Sequence, residues 1–278
     1  MIDILLAIYR PKADWLKAQI GSIRAQRGVE ANLICREDTV GEGACVNFAA
    51  LLQESAAEYV AFADQDDVWL PDKLAKCMSK MHELERQWGV DTPLLVFSDA
   101  RVVDANLKPQ SESLFRHIRV DPLRNHPRQL VFQNTAYGNT MLINAALRDL
   151  AKPIPAEAFM HDSWIMLVAS VFGKVAYLNE PLLLYRQHED NVVGGDRVGI
   201  GYFFRAIARG RVQLRVRQYA NIRQVEAFVN RFGDKSPEVF RALVGFTYRP
   251  YIQRIGILLR HRILKSGIVR NLGLWAVI

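Results

Sequence analysis

The sequence predicts an α/β architecture: a mostly parallel sheet flanked by helices, followed by a basic helical C-terminal region. Three observations carry that prediction. Short apolar runs of strand length alternate with segments of helical periodicity through residues 1–200. The runs are nearly continuous in apolar residues, as strands covered on both faces require. Several stop at polar or acidic residues, on what would be one edge of a doubly wound sheet, where ligands bind.

Ile2 to Ile8 reads as the first buried strand and ends at Tyr9-Arg10-Pro11. Trp15 or Leu16, Ile20 and Ile23 recur at helical spacing and predict a helix over 13–26. Asn32 to Cys35 is a short second strand running into Arg36-Glu37-Asp38. Gly41 and Gly43 loosen the next turn, and a helix carries Val46 to Gln53. Glu58 to Ala63 is the third strand. A helix over 71–88 leads to a strand at Leu94 to Phe97, which ends in Ser98-Asp99. Residues 105–128, with Pro109, Pro122 and Pro127, form an irregular excursion of the kind that often serves as a lid or binding loop. Thr140 to Ile143 is a strand, a short helix follows to Leu150, and Lys152-Pro153-Ile154-Pro155 breaks it. His161 to Phe172 is an apolar helix. Val175 to Leu178 and Leu182 to Arg186 are two short strands, and Gln187 to Gly195 is a polar turn. From Tyr202 the chain turns to basic helices, with Ile252, Ile255, Leu259 and Ile263 as a partial apolar stripe. The expected organisation is therefore a domain over 1–200 and a basic helical region over 201–278.

With 278 residues, 50% of them hydrophobic, the chain can bury a large core. Cys35, Cys45 and Cys77 make no zinc or redox pattern and suggest a reducing compartment. The first residues enter a strand-like run with no basic stretch ahead of it, so no secretory leader is expected. No apolar run reaches the length of a membrane span. The net charge of +7 hides a split: residues 1–200 carry 21 Lys+Arg against 26 Asp+Glu, and residues 201–278 carry 15 against 3. A strongly basic tail on an acidic body points to an anionic partner, nucleic acid or anionic lipid.

The most informative stretch is Asp64-Gln65-Asp66-Asp67-Val68-Trp69-Leu70-Pro71-Asp72-Lys73-Leu74. An apolar strand stops at an acid, and three carboxylates fall within four positions, where their repulsion calls for a counter-ion. A hard cation held by carboxylates and substrate phosphates is the natural occupant. The competing reading is a solvated acidic loop ahead of a helix, with Pro71 in its first turn and Asp72 near its N-terminus. Gly41-Glu42-Gly43 starts like a dinucleotide fingerprint, but Val46 stands where the third glycine belongs, which leaves a flexible turn. The acidic stretch also fits a haloacid-dehalogenase-type phosphatase with Asp64 as nucleophile, although two strand–helix units precede it here. For Asp162 the plain alternative is a helix N-cap, and for His188 a satisfied loop histidine.

Taken in order, the motifs resemble the family-2 inverting glycosyltransferases of the GT-A, Rossmann-like fold, and among them the bacterial rhamnosyltransferase-like enzymes of surface polysaccharide synthesis. The matching residues are Ile4-Leu5-Leu6-Ala7-Ile8-Tyr9, Gln19-Ile20-Gly21-Ser22-Ile23 with Gln26, Asn47-Phe48, and Asp64 to Trp69 with Pro71 and Lys73-Leu74. They continue with Ser98-Asp99, Gly138-Asn139-Thr140-Met141, Pro153-Ile154-Pro155, His161-Asp162-Ser163-Trp164 with Gly173, and Tyr185-Arg186-Gln187-His188 with Asn191-Val192-Val193-Gly194. The resemblance covers about residues 2–195 and implies roles. Ala7 and Tyr9 belong to the nucleobase pocket, and Asp38 accepts a hydrogen bond from the base. Asp66 holds Mg²⁺ or Mn²⁺ on the donor diphosphate, with Asp64 and Gln65 near the ribose or metal. His188 completes the metal or phosphate shell, and Asp162 is the catalytic base. The implied partners are a nucleotide-diphosphate sugar and a saccharide or lipid-linked acceptor. The tail then meets an anionic membrane surface on the cytoplasmic face rather than nucleic acid; the competing readings for it are a helical subdomain packed on the core and a homodimer contact. The sequence departs from the family where Arg36-Glu37-Asp38-Thr39 replaces an Asp-Asp-Gly-Ser turn, where the path from Asp38 to Asp64 is short, where Arg10-Pro11 replaces Asn-Gly, and where Asn139 replaces a frequent Cys. The shortened path is the best support for the non-enzyme alternative, a degenerate transferase kept as a binding subunit.

Overall fold

The computed structural model describes residues 1–188 and 211–278. The expected Asn191-Val192-Val193-Gly194 turn and the boundary at residue 200 lie outside these residues. The first half is β1 (Ile2–Ile8), α1 (Ala13–Arg24), β2 (Ala31–Glu37), α2 (Ala44–Glu54) and β3 (Tyr59–Ala63). β1 lies between β2 and β3, parallel to both. Its continuous apolar run follows from that place, since Ile2, Ile4, Leu5 and Leu6 are all buried.

A two-residue strand, β4 (Val68–Trp69), and α3 (Lys73–Trp88) follow, then β5 (Leu94–Val103), β6 (Pro109–Ser111), α4 (Leu114–Ile118) and α5 (Pro127–Leu130). A 3-10 turn, Gly138–Thr140, delivers the chain into β7 (Met141–Asn144), α6 (Ala145–Ala151), α7 (His161–Phe172) and β8 (Lys174–Arg186). The sheet order is β2-β1-β3-β7-β5-β8-β4, with β6 paired to β5. β2, β1, β3, β5 and β8 run one way, so the sheet is mostly parallel, as expected.

Three details differ from the sequence reading. β7 is antiparallel to both of its neighbours, β3 and β5, which breaks the doubly wound pattern. The cause is the excursion after β5: it crosses the carboxyl edge of the sheet and re-enters from that edge. β5 does not end at Ser98-Asp99 but continues to Val103. Asp99 is buried within the strand, where it accepts hydrogen bonds from Ser113 Oγ, the Leu114 and Ala100 amides and the Tyr177 hydroxyl. β8 is one strand, because register shifts against β5 around Pro181 absorb a residue with no amide N–H to donate.

Gly173, which ends α7, lets β8 start tight against β5. A Cβ there would lie 1.9 Å from the Pro93 carbonyl oxygen, which accepts from the Lys174 amide. We expect Gly173→Ala to cost about 3 kcal/mol by forcing the two strands apart. A thermal melt of the variant within a degree of the wild type would contradict this.

After residue 211 come α8 (Arg211–Phe232), α9 (Glu238–Arg241), α10 (Tyr251–Arg260) and α11 (Ile268–Val277). Ile222, Val225 and Phe228 of α8 are fully buried in the same core as the sheet. Phe228 and Phe232 meet Trp164 and Phe172 of α7 at ring separations of 4.7–6.3 Å. The basic region is thus packed on the body. Among the described residues no helix is long and apolar enough to cross a membrane.

Candidate active site

β3 presents its acids because its apolar run is buried up to Ala63 and then leaves the sheet. The turn that follows is fixed through the backbone. Gln65 spans to the end of β1, its Oε1 accepting from the Tyr9 amide (2.8 Å) and its Nε2 donating to the Tyr9 carbonyl (2.9 Å). Gln19 of α1 donates to the Asp64 carbonyl at 2.9 Å. The Gln65 side chain is therefore committed to joining the ends of β1 and β3.

Those carboxylates separate into distinct places. Asp66 Oδ2 lies 2.5 Å from His188 Nε2, and the Asp66 carbonyl accepts from Arg186 Nε at 2.7 Å. His188 sits beside Trp15, with ring centroids 5.0 Å apart. Asp67 is fully buried and holds the turn in place: it accepts from Asn139 Nδ2 and from the Arg186 amide. Burial and the neighbouring Asp66 and Asp64 hold its carboxyl well above the usual range.

Asp162 comes from α7, where Met160 is the N-cap and Asp162 lies inside the first turn, so it is not the cap residue. It is buried, and its carboxylate accepts from the Gly138 amide (3.1 Å) and the Ser163 amide (2.5 Å). Burial pushes it up to about 6, against those hydrogen bonds and one from Asn134. Asp64 is partly buried and is raised first by burial, then by the charges of Asp66 and Asp162. The structure thus brings Asp64, Asp66, His188 and Asp162 into one electrostatic neighbourhood at the sheet's carboxyl edge. Next to Asp162, His161 stacks on Phe48 at 4.0 Å, and burial depresses it to about 3, so it stays neutral. A Cβ on Gly138 would meet His161 Nε2 at 2.5 Å, so glycine is needed there.

The residues expected at the nucleobase lie further along the same edge. Ala7 is half-buried in β1 opposite Arg36, and Tyr9 is 42% exposed. Gly41 lies beside Tyr9, where an added Cβ would be in ordinary contact with its hydroxyl at 3.5 Å. Asp38 closes that loop: Oδ1 accepts from the Val40, Gly41 and Glu42 amides and Oδ2 from Gly43. These bonds hold its carboxyl below the usual range. Gly41 and Gly43 take φ of +84° and +97°, which is what lets the loop fold back on Asp38. Most of the Asp38 carboxylate is thereby engaged inside its own loop.

The sequence assigned no role to Gln19, Asn134, Tyr137 or Arg186. Arg186 and Gln19 stood in recognisable motifs, whereas Asn134 and Tyr137 lie between the 105–128 excursion and the next strand and carried no signal.

For a divalent cation, the fitting donor set is Asp66 with His188. Among the described residues no group of three or more His, Cys, Asp or Glu gathers as a cage. Two protein ligands suit a cation whose other positions are filled by substrate phosphates and water.

No family model matches the chain. It is similar to the curated dTDP-rhamnosyl transferase RfbG of Shigella flexneri, 23% identical over 221 residues that span 66% of this chain and 71% of that protein. Among solved structures it is similar to S. aureus TarS, at TM-score 0.47 and 12% identity over 84% of this chain and 44% of that one. Against S. aureus TarS 1-349 in complex with UDP-GlcNAc the TM-score is 0.49 at 14% identity, over 94% of this chain and 80% of that chain. The chain thus spans less than half the length of the first of these structures.

Proposed function

We propose that this chain is a metal-dependent inverting glycosyltransferase of the GT-A fold. It moves a sugar from a nucleotide-diphosphate donor to a hydroxyl of a saccharide or lipid-linked acceptor in surface polysaccharide synthesis. The observation that carries this is the separation of two acidic functions on one sheet edge: Asp66 with His188 on one side, and Asp162, delivered by a different helix, on the other. The likeness to a dTDP-rhamnosyl transferase supports the same reading and makes dTDP-rhamnose the first donor to test.

The division of labour follows from the chemistry. Inversion needs a base on the face of the sugar opposite the leaving group, placed to take the acceptor proton. Asp162 suits that role, because burial lifts its basicity and the Gly138 and Ser163 amides fix its orientation. Asp66 and His188 would hold Mn²⁺ or Mg²⁺ against the donor diphosphate. When bound, such a cation supplies charge neutralisation of the diphosphate leaving group. Tyr9 and the loop closed by Asp38 form the wall for the base.

The test is a screen of nucleotide sugars for turnover with Mn²⁺ and with Mg²⁺. Turnover of a nucleotide sugar is the expected result. Phosphate release from simple monoesters without it would install the phosphatase instead. Donor binding without turnover would mark a degenerate binding subunit.

On the same reading, the C-terminal helices sit on an anionic membrane at the cytoplasmic face. Tyr248, in the turn ahead of α10, and Ile252, in its first turn, are 92% and 83% exposed, and Leu259 follows Ile252 two turns on. Ile268 and Leu272 are exposed one turn apart on α11, and the Tyr251 hydroxyl donates to the Trp275 carbonyl to join the two helices. Arg249, Arg260 and Arg262 flank these apolar residues, each contributing about 1 kcal/mol near anionic lipid. Ile252→Glu with Leu272→Glu should abolish sedimentation with phosphatidylglycerol vesicles. Unchanged sedimentation would refute the membrane face, and loss of a dimer on gel filtration would assign it to a homodimer contact.

A further inference from the structure

α1 spends its tryptophan outside the core. Its helical spacing offered either Trp15 or Leu16 to the interior, together with Ile20 and Ile23. Among the described residues the core takes Leu16, Ile20 and Ile23, and not Trp15. Trp15 is half-buried in the first turn of α1, and three polar side chains lie against its ring instead. The Lys12 ammonium is 3.9 Å from the ring centre and the Arg186 guanidinium carbon 4.7 Å. The His188 ring centre is 5.0 Å away, with the two ring planes tilted by 53°. The face of an indole attracts cations, so Lys12 and Arg186 hold the ring in place as it holds them.

Two of these three neighbours are fixtures of the acidic turn. Arg186, the last residue of β8, donates from its amide to Asp67 Oδ1 at 3.1 Å and from Nε to the Asp66 carbonyl at 2.7 Å. His188 meets Asp66 Oδ2 at 2.5 Å. The Gln187 amide still bonds the Val103 carbonyl of β5 at 2.8 Å, but His188 lies two residues past the end of the strand. Its ring is aimed by side-chain contacts, with Asp66 at one ring nitrogen and Trp15 alongside. A ligand whose rotamer is already fixed gives up less freedom when a cation binds. Removing a partner that orients a metal-bound histidine lowers metal affinity by roughly ten- to a hundredfold.

We infer that Trp15 is a positioning residue for the cation site. Its ring sets the direction of His188 and, through Arg186, the place of the Asp66 backbone, so that the Asp66–His188 pair is formed before a cation arrives. This rests on the reading of Asp66 and His188 as cation ligands. Trp15 acts through them and is assigned no contact with the cation itself.

The experiment titrates Mn²⁺ calorimetrically into the full chain in the presence of dTDP. Trp15→Leu removes the ring from a side chain that the core does not use, and its melting curve reports whether it folds. The expected result is a Mn²⁺ affinity lower by roughly tenfold or more, with dTDP affinity in EDTA unchanged. Trp15→Phe, which keeps a ring beside His188 and Arg186, should stay within about threefold of the wild type. A second readout needs no metal: the His188 Hε1 resonance, assigned by its absence in His188→Ala, should move in Trp15→Leu, because the ring beside it is gone. Unchanged Mn²⁺ affinity in a folded Trp15→Leu overturns the proposal, and so does an unmoved His188 resonance. A loss in Trp15→Phe as deep as that in Trp15→Leu overturns it too. Equal loss of dTDP affinity in EDTA assigns Trp15 to the nucleotide pocket and removes the positioning role. Should Trp15→Leu not fold, Trp15→Met takes its place under the same criteria. Sugar-nucleotide turnover in EDTA by a wild type that binds no Mn²⁺ overturns the cation site, and Trp15 with it, while leaving the transferase. Ring-dependent Mn²⁺ binding by a chain that turns over no donor upholds the role of Trp15 and overturns the transferase.

Discussion

Asp162→Asn is expected to lower kcat for transfer about a thousandfold, the scale of a positioned general base, while the affinity for the donor changes little. The Gly138 and Ser163 amides bond to different oxygens of Asp162, so the asparagine oxygen keeps one of the two bonds while the proton acceptor is lost. The pH profile separates this from a packing defect. A base must be ionised to work, so wild-type kcat should climb with pH up to about 6 and then level off; residual activity of the variant should lack that limb. Stability moves the other way. Because the folded pKa lies above the ordinary value of 3.8, the native state holds the proton more tightly than the unfolded chain. Its stability therefore falls as pH rises from about 4 through 6. A shift of this size corresponds to roughly 3 kcal/mol at most once the group is ionised. At pH 8 the inactive variant should melt above the wild type. A variant that keeps full activity would remove Asp162 from the reaction.

Asp66→Asn should cost roughly a hundredfold or more in turnover, since neutralising a diphosphate leaving group supplies several kcal/mol. The expected signature is loss of Mn²⁺ binding in the presence of a nucleoside diphosphate, followed by calorimetry or by the Mn²⁺ resonance signal. His188→Ala should weaken the same binding, because its Nε2 faces the same Asp66 oxygen. Asp66 differs from its neighbour in the kind of damage: Asp67 ties the Asn139 side chain to the Arg186 backbone, so changing it lowers stability before it touches the cation. Unaltered Mn²⁺ binding by Asp66→Asn would take the cation away from this pair.

The acidic turn, the strand before it and the start of α7 were legible in the sequence because each combines a strong apolar pattern with an abrupt polar stop. The direction of β7 was not. A short buried strand with three apolar residues looks alike in either orientation, and only the path of the preceding excursion decides it. Asp99 read as a strand end because acids rarely sit inside buried strands; it does so here because the Ala100 amide and three donors from Ser113, Leu114 and Tyr177 further along the chain satisfy it. β8 read as two strands because Glu180-Pro181 resembles a break, and its register shifts depend on the partner strand. Asp66 and Asp67, adjacent acids of equal chemistry, were separated in the sequence through the family resemblance alone; in the fold it is His188 and Asn139, far along the chain, that distinguish them.

The short turn that leads into β7 has a metric consequence. Asn139 grips Asp67, the neighbour of the candidate cation ligand, and Gly138 grips Asp162. Two consecutive residues therefore act as the jaws of a caliper, one closed on the acidic turn after β3 and one on the start of α7. The gap they set spans one rigid peptide unit and the short Asn139 side chain, so it varies little. Loops around this edge can diverge to suit other donors and acceptors without altering that gap. An insertion between residues 138 and 139 would alter it.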